Sequence, residues 1–543
     1  MSSLIRKKLG QLIMMDFRYW GEDHNNKPLA FTKTNQIVNN LFKDYNLSGF
    51  ILFKENIETN EQTISLLRDI QSNITTPLFF ATDQEGGRVN RIKQGTSGCG
   101  NMALAATSKP ENAYTMAKLI GDELYSLGIN TNFAPVIDVN SNKNNPIIGV
   151  RAYADNPETV IEYAKSTMDG YHDASIIDCV KHFPGHGDTS SDSHLGSVSV
   201  NKSLDDLEKT ELLPFQKLVN KYSMVMSAHI SMPALDDTTH RSVSTGQEIG
   251  IPATLSHNII TEFLKEKISF KGLVVSDAMD MKAIATHFGS IEATKLAILA
   301  GIDIVLMPVR VWSENDTYML EELFISLESE YIKNTKFALA VDDAYNKVLE
   351  FKQKHNLNNS YIYKLSKDEQ IKKANLVVNS KEHQKISLNI AKQSTNIVKN
   401  SGLIPYQLKN NQNILIVDSD KQRLSEFDKI LTKICFNQGF NISIKAKHID
   451  DNLEANIQSC DLTLLISESL KKHSQRYSTL TSIAPNKVIN IAALTPYDID
   501  YIDNVKNYVC IYGATSVDQT NYTVTSLKIN IQAALENIFC SSF

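Results

Sequence analysis

The sequence lacks the features that membrane proteins and nucleic-acid-binding proteins need. No run approaches the roughly 20 consecutive apolar residues that span a bilayer, so membrane insertion is not expected. The 55 lysines and arginines are outnumbered by 61 aspartates and glutamates, which leaves a net charge of -6. Nucleic acid is therefore not an expected partner. The short apolar stretch near the N-terminus has no small-residue cleavage site after it, so we expect a cytoplasmic protein.

Cysteine and metal-binding signatures are also scarce. Six cysteines are scattered over 543 residues and none forms a CxxC pair, which does not suit a disulfide framework. The HExxH motif, the EF-hand loop and the phosphate-binding P-loop are absent from the sequence. We therefore expect reduced thiols, no metal and no cofactor.

Eight short apolar runs recur through the first 330 or so residues, with helical patterns between them. Uninterrupted apolar runs are typical of parallel strands that are covered on both faces. Repetition of strand and helix predicts a parallel α/β architecture, and eight units predict a (β/α)8 TIM-type barrel over residues 1–335. The eight runs are 12–16, 49–53, 78–83, 130–138, 176–182, 223–229, 272–277 and 302–307.

The rest of the chain predicts a second, smaller domain. Residues 336–400 carry helical patterns with charged faces, and we expect them to form a helical connector. A new alternation of apolar runs and helical patterns then covers 401–543 and predicts a smaller α/β sandwich domain. This region has no glycine-rich phosphate loop, so a nucleotide site there is not indicated.

Ionisable residues stand at the C-terminal ends of the predicted barrel strands. A single aspartate after a strand often only caps the next helix, but seven such groups at one end exceed that need. Active sites of these barrels are built at this face, so the pattern predicts a catalytic centre. The seven residues are Asp16, Asp83, Asp138, Lys181, His182, His229 and Asp277.

The segment KHFPGHGDTSSDSH, residues 181–194, carries the strongest local signal. Two glycines and a proline indicate a loop of defined shape. Asp192 and His194 are two positions apart and share one side of an extended segment. A carboxylate beside an imidazole fixes its tautomer and raises its basicity, so the pair can serve as general acid and then general base. A zinc site and a merely structural hydrogen bond are the alternatives, although these histidines and aspartates lie on a glycine-rich loop, without the rigid i, i+4 pair on a helix that is typical of zinc sites.

Three further segments supply candidate groups. Asp277 closes the apolar run in GLVVSDAMDM, where a carboxylate can act as a nucleophile. Asp83 and Arg91 lie in DQEGGRVNR, directly after a predicted strand, and Arg151 lies in NPIIGVRAY. No G-x-S-x-G elbow accompanies the serines, so a serine triad is not indicated.

The motifs DQEGGRV, NFAPVIDV, NPIIGVRAY, KHFPGHGDTSSDSH and GLVVSDAMDM, in this order, resemble glycoside hydrolase family 3, and more narrowly its β-N-acetylhexosaminidase (NagZ-like) branch. Further on, IAKQSTNIVKNSGLIPY resembles the start of the second domain in two-domain members. The resemblance implies that Asp277 is the nucleophile, that His194 is the general acid/base and that Asp192 is its dyad partner. It also implies a set of residues that bind the terminal sugar: Asp83, Arg91, Arg151, Lys181 and His182.

The resemblance implies a retaining exo-β-N-acetylglucosaminidase that forms a covalent glycosyl-aspartate intermediate. Its expected substrate is a GlcNAc-terminated oligosaccharide or cell-wall fragment (a muropeptide), which fits peptidoglycan recycling. One alternative is a phosphorylase on the same scaffold, because a neutral histidine repels phosphate less than a carboxylate does. The other is a non-catalytic sugar-binding protein, which predicts loss of Asp277, Asp192 or His194. All three residues are present.

Overall fold

The structure, a computed structural model, describes residues 2–189, 198–470, 474–513 and 526–539. The chain falls into two units. The first is built from the described parts of Met1–Glu85, Asn90–Thr96 and Ala113–Ser380. The second combines Lys381–Phe543 with Gly86–Val89 and Ser97–Asn112. No described helix is both long enough and apolar enough to span a membrane.

All eight predicted runs form strands of one parallel sheet in the first unit, in the order β7-β6-β5-β4-β3-β2-β1-β8. Backbone bonds from Ser276 N to Ile304 O (3.0 Å) and from Asp303 N to Val274 O (2.9 Å) join β7 to β8. The sheet is therefore a nearly closed barrel, and the predicted TIM-type fold is confirmed. The strands are β1 (Ile13–Met15), β2 (Gly49–Leu52), β3 (Phe79–Thr82), β4 (Thr131–Asn132), β5 (Ile177–Phe183), β6 (Met224–Ser227), β7 (Leu273–Ser276) and β8 (Val305–Leu306).

One apolar cluster fills the barrel and includes Met14, Ile51, Ala81, Cys179 and Val275. Successive side chains of a strand face opposite sides, so the residue two positions further along faces the same side. Five inward rows therefore end at the C-terminal mouth of the barrel in Asp16, Phe53, Asp83, Lys181 and Asp277.

Amphipathic helices surround the barrel. The helix Pro157–Asp173 illustrates why they form: Pro157 starts it, the Asn156 side chain caps Thr159 N, and one face is buried. Short strand pairs join Tyr19–Glu22 to Pro28–Ala30, Val198–Ser199 to Ile230–Ser231, and Thr239–Arg241 to Glu248–Gly250. The helices are Ser2–Gly10, Gln36–Tyr45, Asn60–Gln71, Pro110–Leu127, Pro157–Asp173, Leu204–Lys209, Leu213–Leu218, the π-type Asn258–Lys267, Lys282–Phe288, Ser290–Ala300, Thr317–Lys333, Thr335–Lys354, Tyr361–Lys364 and Lys367–Val377.

The second unit is the expected α/β sandwich. Its six-stranded sheet has the order β9-β14-β13-β12-β10-β11, and only the edge strand β9 runs antiparallel to its neighbour. The strands are β9 (Asn396–Lys399), β10 (Asn413–Asp418), β11 (Ser443–His448), β12 (Leu462–Ser467), β13 (Val488–Ala492) and β14 (Tyr508–Cys510). The helices are Asn101–Ala106, Lys381–Ser394, Lys421–Asn437, Glu454–Ser459, Ser474–Ile483 and Leu527–Phe539.

The division between the units falls inside the stretch 336–400, for which the sequence predicts a helical connector. The helix Thr335–Lys354 belongs to the barrel unit, because its apolar stripe packs against Thr317–Lys333 and Ser290–Ala300. The helix Lys381–Ser394 belongs to the second unit, where it packs against Leu527–Phe539. The helical residues of this stretch are thus shared between the two units.

Two early segments also belong to the second unit. Ser526 N donates to Gly87 O (3.0 Å), and Asn530 Nδ2 donates to Cys99 O (3.0 Å). Nothing in the local sequence predicts this membership, because the bonded residues lie more than 400 positions apart.

Candidate active site

A network of buried charges lies at the C-terminal mouth of the barrel. Lys181 Nζ is 2.6 Å from Glu85 Oε1 and 2.8 Å from Asp83 Oδ1. Arg151 contacts the same glutamate in a bidentate manner, through Nη2 to Oε1 (2.8 Å) and Nε to Oε2 (2.9 Å). Arg91 Nη2 lies 3.9 Å from Asp83 Oδ2. Glu85 therefore joins Arg151 to Lys181, and Lys181 extends the cluster through Asp83 to Arg91.

The electrostatics keep the centre of this network charged. Burial by itself would raise the pKa of Glu85, but the adjacent Arg151 and Lys181 lower it well below the ordinary value. Burial likewise opposes protonation of Lys181, yet Asp83 and Glu85 raise the pKa of its ammonium group. At neutral pH the mouth thus holds a fixed carboxylate and fixed N–H donors that suit sugar oxygens.

His182 is held by the buried carboxylate of Asp138. Its Nδ1 lies 2.7 Å from Asp138 Oδ2, and Asp138 Oδ1 accepts from His186 N (2.7 Å). Burial opposes ionisation of Asp138, but His182 lowers the pKa of that carboxyl. Because Nδ1 donates to Asp138, the other ring nitrogen of His182 accepts from Arg151 Nη2 at 3.4 Å. The imidazole orientation is therefore fixed on both sides.

Asn145 anchors the first part of the glycine-rich loop. Its Nδ2 donates to the carbonyls of His186 (2.8 Å) and Gly187 (2.9 Å), while Oδ1 accepts from Ile147 N and Ile148 N. A Cβ atom on Gly187 would lie 1.5 Å from the Val139 carbonyl oxygen, so only glycine fits there. The loop that the sequence predicts therefore starts from a rigid base.

The proposed dyad lies beyond this base. Asp192 and His194 are outside the described residues, and their roles stay predictions. His186 is described: burial lowers its pKa to about 4, so its buried ring is neutral at pH 7. Within the described part of the chain no group of three or more histidine, cysteine or acidic side chains is placed to hold a metal ion.

Asp277 stands half-buried at the end of β7. Its N–H donates to Ser227 O (3.2 Å), and its Oδ1 accepts from Ala278 N (2.7 Å). His229 supports the same segment, because its Nε2 donates to Ala278 O (3.0 Å) and its Nδ1 bonds to Thr254 Oγ1 (2.9 Å). The structure thus gives His229 a positioning contact beside the predicted nucleophile.

Sequence reasoning missed two residues of the site as functional groups. Glu85 lies in the DQEGGRV motif, two positions after Asp83. Residues two apart in an extended segment face the same side, so this spacing could have placed Glu85 beside Asp83. Asn145 opens NPIIGVRAY, but no local pattern shows that its amide reaches residues more than 40 positions away.

Glu85→Gln should lower the free energy of unfolding of the barrel unit by about 3–5 kcal/mol at pH 7, because two buried cations lose their shared carboxylate. Urea unfolding measures this. The matched control is Glu208→Gln, which removes an exposed pair to Lys267 of similar length (2.8 Å) and should cost less than about 1 kcal/mol.

The loss of unfolding free energy caused by Glu85→Gln should become smaller at acidic pH. A carboxyl with a lowered folded pKa stabilises above its ordinary value of 4.5, and this contribution is lost as the pH falls toward the folded pKa. If Glu85→Gln loses no more unfolding free energy at pH 7 than Glu208→Gln does, the charged network would be contradicted.

Comparison with known proteins finds a matching family model and a similar protein of known name. The family model described as "Glycosyl hydrolase family 3 N terminal domain" matches residues 4–350. Beta-hexosaminidase A of Pseudoalteromonas piscicida is 35% identical over 441 residues, which cover 78% of this chain and 72% of that protein.

Two solved structures resemble the chain over nearly its whole length. A family 3 beta-N-acetylglucosaminidase from Paenibacillus sp. str. FPU-7 is 26% identical with a TM-score of 0.77, covering 98% of this chain and 96% of that one. A fungal multi-domain GH3 beta-N-acetylglucosaminidase is 26% identical with a TM-score of 0.81, and the match covers 98% of this chain. The chain spans 59% of the length of that fungal protein.

Proposed function

Because the chain belongs to glycoside hydrolase family 3, the family that its motifs resemble, we propose that it is a retaining exo-β-N-acetylglucosaminidase. The observation that carries the proposal is the position of Asp277 at the same barrel mouth as the buried Asp83–Lys181–Glu85–Arg151 network. The names of the relatives, beta-hexosaminidase and beta-N-acetylglucosaminidase, support GlcNAc as the terminal sugar.

In this proposal Asp277 is the nucleophile. Its position at a strand end, with Oδ1 bonded to Ala278 N, holds the carboxylate rigidly for attack on the anomeric carbon. The attack forms a bond between the Asp277 oxygen and that carbon while the bond to the leaving oxygen breaks. His194, oriented by Asp192, protonates the leaving oxygen and then removes a proton from the water that hydrolyses the glycosyl-aspartate.

The buried network binds the terminal sugar. Lys181, Arg151 and Arg91 are the donors for its hydroxyl and acetamido oxygens, and Asp83 accepts from its hydroxyls. His182 completes the set, with its orientation maintained by Asp138. These groups are held by one another before substrate arrives, which reduces the entropy cost of binding.

The finer proposal is that the substrate is a GlcNAc-terminated muropeptide released in the cytoplasm, and that the reaction serves peptidoglycan recycling. A terminal GlcNAc suits a barrel mouth at which the charged residues are buried. Muropeptides carry this sugar on an acidic second sugar.

The test is turnover of an aryl β-N-acetylglucosaminide and of a GlcNAc-terminated muropeptide, in phosphate and in an inert buffer. We expect release of free GlcNAc as the β-anomer, at a rate independent of phosphate. Formation of a sugar 1-phosphate would show a phosphorylase instead. Binding of both compounds without turnover would show a non-catalytic sugar-binding protein.

A further inference from the structure

A cavity of about 470 Å³ lies at the end of the barrel opposite to the mouth. Ser223 and Gly272 line it, and each directly precedes a strand, β6 and β7 respectively. The cavity is therefore at the N-terminal ends of these strands, whereas Asp277 follows the C-terminal end of β7. Its volume lies within the range of small-molecule sites, about 300–1,000 Å³. None of the described catalytic or sugar-binding residues lines it.

The cavity is lined mainly by positive charge. Four lysines take part, from the segments before β6 and β7 and from the helix Thr335–Lys354: Lys221, Lys271, Lys347 and Lys354. One acidic side chain, Glu350, accompanies them among the described lining residues. Like charges gathered around one concave surface raise the local concentration of anions. The cavity therefore favours an anionic ligand with more than one charge.

Three of the lysines have little or no charge compensation. Lys271 and Lys354 are exposed and form no ion pair with any residue that the structure describes. Lys221 Nζ lies 3.8 Å from Asp169 Oδ1, and both side chains are nearly half exposed. Exposed contacts of this kind contribute little free energy. The three ammonium groups are therefore available to a ligand.

The fourth lysine shares its counter-ion. Lys347 Nζ is 2.8 Å from Asp303 Oδ2, and Lys265 Nζ is 2.9 Å from the other oxygen of the same carboxylate. One negative charge thus serves two ammonium groups. Burial lowers the pKa of Lys347, although Asp303 opposes this. An anion in the cavity would supply the charge that Lys347 lacks.

Aromatic side chains give the cavity an apolar wall. Phe351 and Tyr222 are buried, and the His355 ring stacks on Phe351 with ring centres 4.1 Å apart. Burial lowers the pKa of His355 to about 4, so the imidazole is neutral at pH 7. The Tyr222 hydroxyl already donates to Phe215 O (3.1 Å). The wall therefore offers ring faces, which an inorganic ion does not use but an organic group does.

We propose that this cavity binds a phosphate monoester of a small polar metabolite, with the lysines on the phosphate and the aromatic wall against the organic part. Lysine binds phosphate as a point charge. A phosphate monoester carries about 1.5 to 2 negative charges at pH 7, which suits several ammonium groups. Asn220 and Glu350 are placed to bond to hydroxyl groups of the organic part. The inference does not depend on the proposed function, because the catalytic mouth is at the other end of the barrel.

The test is calorimetric titration of the full chain at about 0.15 M salt, where non-specific charge attraction is screened. The probes are a hexose 6-phosphate, a nucleoside 5′-monophosphate, the unphosphorylated hexose and inorganic phosphate. We expect one of the two monoesters to bind once per chain, at least about 10-fold more tightly than inorganic phosphate, and the hexose not to bind. The tighter monoester identifies the source of the phosphate. Lys271→Met and Lys354→Met should each weaken its binding by about 10-fold or more, the effect of a lost charged hydrogen bond.

Two matched variants locate the binding. Lys336→Met makes the same change at the other end of the helix Thr335–Lys354, outside the cavity, and should keep full affinity. Glu350→Gln removes the negative charge from the cavity, so it should tighten the binding of inorganic phosphate by about 3-fold. Melting temperatures establish that each variant is folded.

Three results would overturn the inference: no binding of either monoester, binding that survives both Lys271→Met and Lys354→Met, or an equal loss in Lys336→Met. Turnover of an aryl β-N-acetylglucosaminide by Lys271→Met and Lys354→Met should stay within about 2-fold of wild type, because surface changes away from a site have small effects. Failure of the proposed function would appear in that assay of the wild type, and failure of this inference only in the titrations.

Discussion

Asp277→Ala should reduce kcat on β-N-acetylglucosaminides by about 10⁴-fold or more while the protein stays folded. Loss of a nucleophile removes the covalent route entirely, and losses of this order are typical for such residues. The side chain is half-buried at the end of a strand and its Oδ1 accepts from the adjacent Ala278 N, so we expect the melting temperature to change little. Steady-state kinetics and thermal unfolding measure the two effects.

Two further experiments sharpen this expectation. A fluorosugar that traps the glycosyl-enzyme should label Asp277, as identified by peptide mass spectrometry. Asp280→Ala removes a carboxylate three residues away that pairs with Arg310, and it should cost less than about 10-fold in kcat. Labelling of another residue, or near-normal turnover by the Asp277→Ala protein, would end the assignment of the nucleophile.

His194→Ala should affect substrates with poor leaving groups about 10²- to 10⁴-fold more than activated aryl glycosides. A poor leaving group needs protonation as its bond breaks, whereas an activated phenol departs as an anion. With the activated substrate the covalent intermediate should form quickly and hydrolyse slowly, because His194 also activates the water. A burst of aryl alcohol, measured by stopped-flow absorbance, should therefore precede a slow steady state.

Azide distinguishes this role from a binding role. It attacks the intermediate without base assistance, so it should accelerate the second step of the His194→Ala reaction and yield a β-glycosyl azide. Asp192→Ala should show a milder form of the same pattern, since it orients the imidazole without transferring the proton. Equal losses of activity on both substrate classes, without a burst or azide rescue, would indicate that the residues 192–194 bind substrate and do not transfer protons.

The local sequence was a good guide to the barrel strands. Each apolar run marks a strand that is buried on both faces, and such strands are recognisable without knowledge of their neighbours. Asp83, Lys181 and Asp277 end up at one mouth because parallel strands of a barrel present their C-terminal ends on the same side. Glu85 joins Lys181 to Arg151, Lys181 also pairs with Asp83, and His182 contacts this network through Arg151.

The extent of the units was harder to predict. The helical patterns over 336–400 were recognisable, but helix periodicity does not show which core an apolar stripe faces. The helix Thr335–Lys354 packs on barrel helices, while Lys381–Ser394 packs within the second unit. The inclusion of Gly86–Val89 and Ser97–Asn112 in that unit depends on contacts with residues far along the chain.

By itself, the sequence determined which residues form the barrel strands and which ionisable groups stand at their ends, since both follow from patterns only a few residues long. Only the tertiary structure decided which charges pair. Glu85 meets Arg151 across 66 positions, and Lys181 meets Asp83 across 98. It also decided that Arg18 lies on Phe53 without a hydrogen-bond partner among the described residues. The strength of these interactions depends on the burial of the charged groups and on the distances between them. Both are set only when the separate strands of the barrel come together at one mouth.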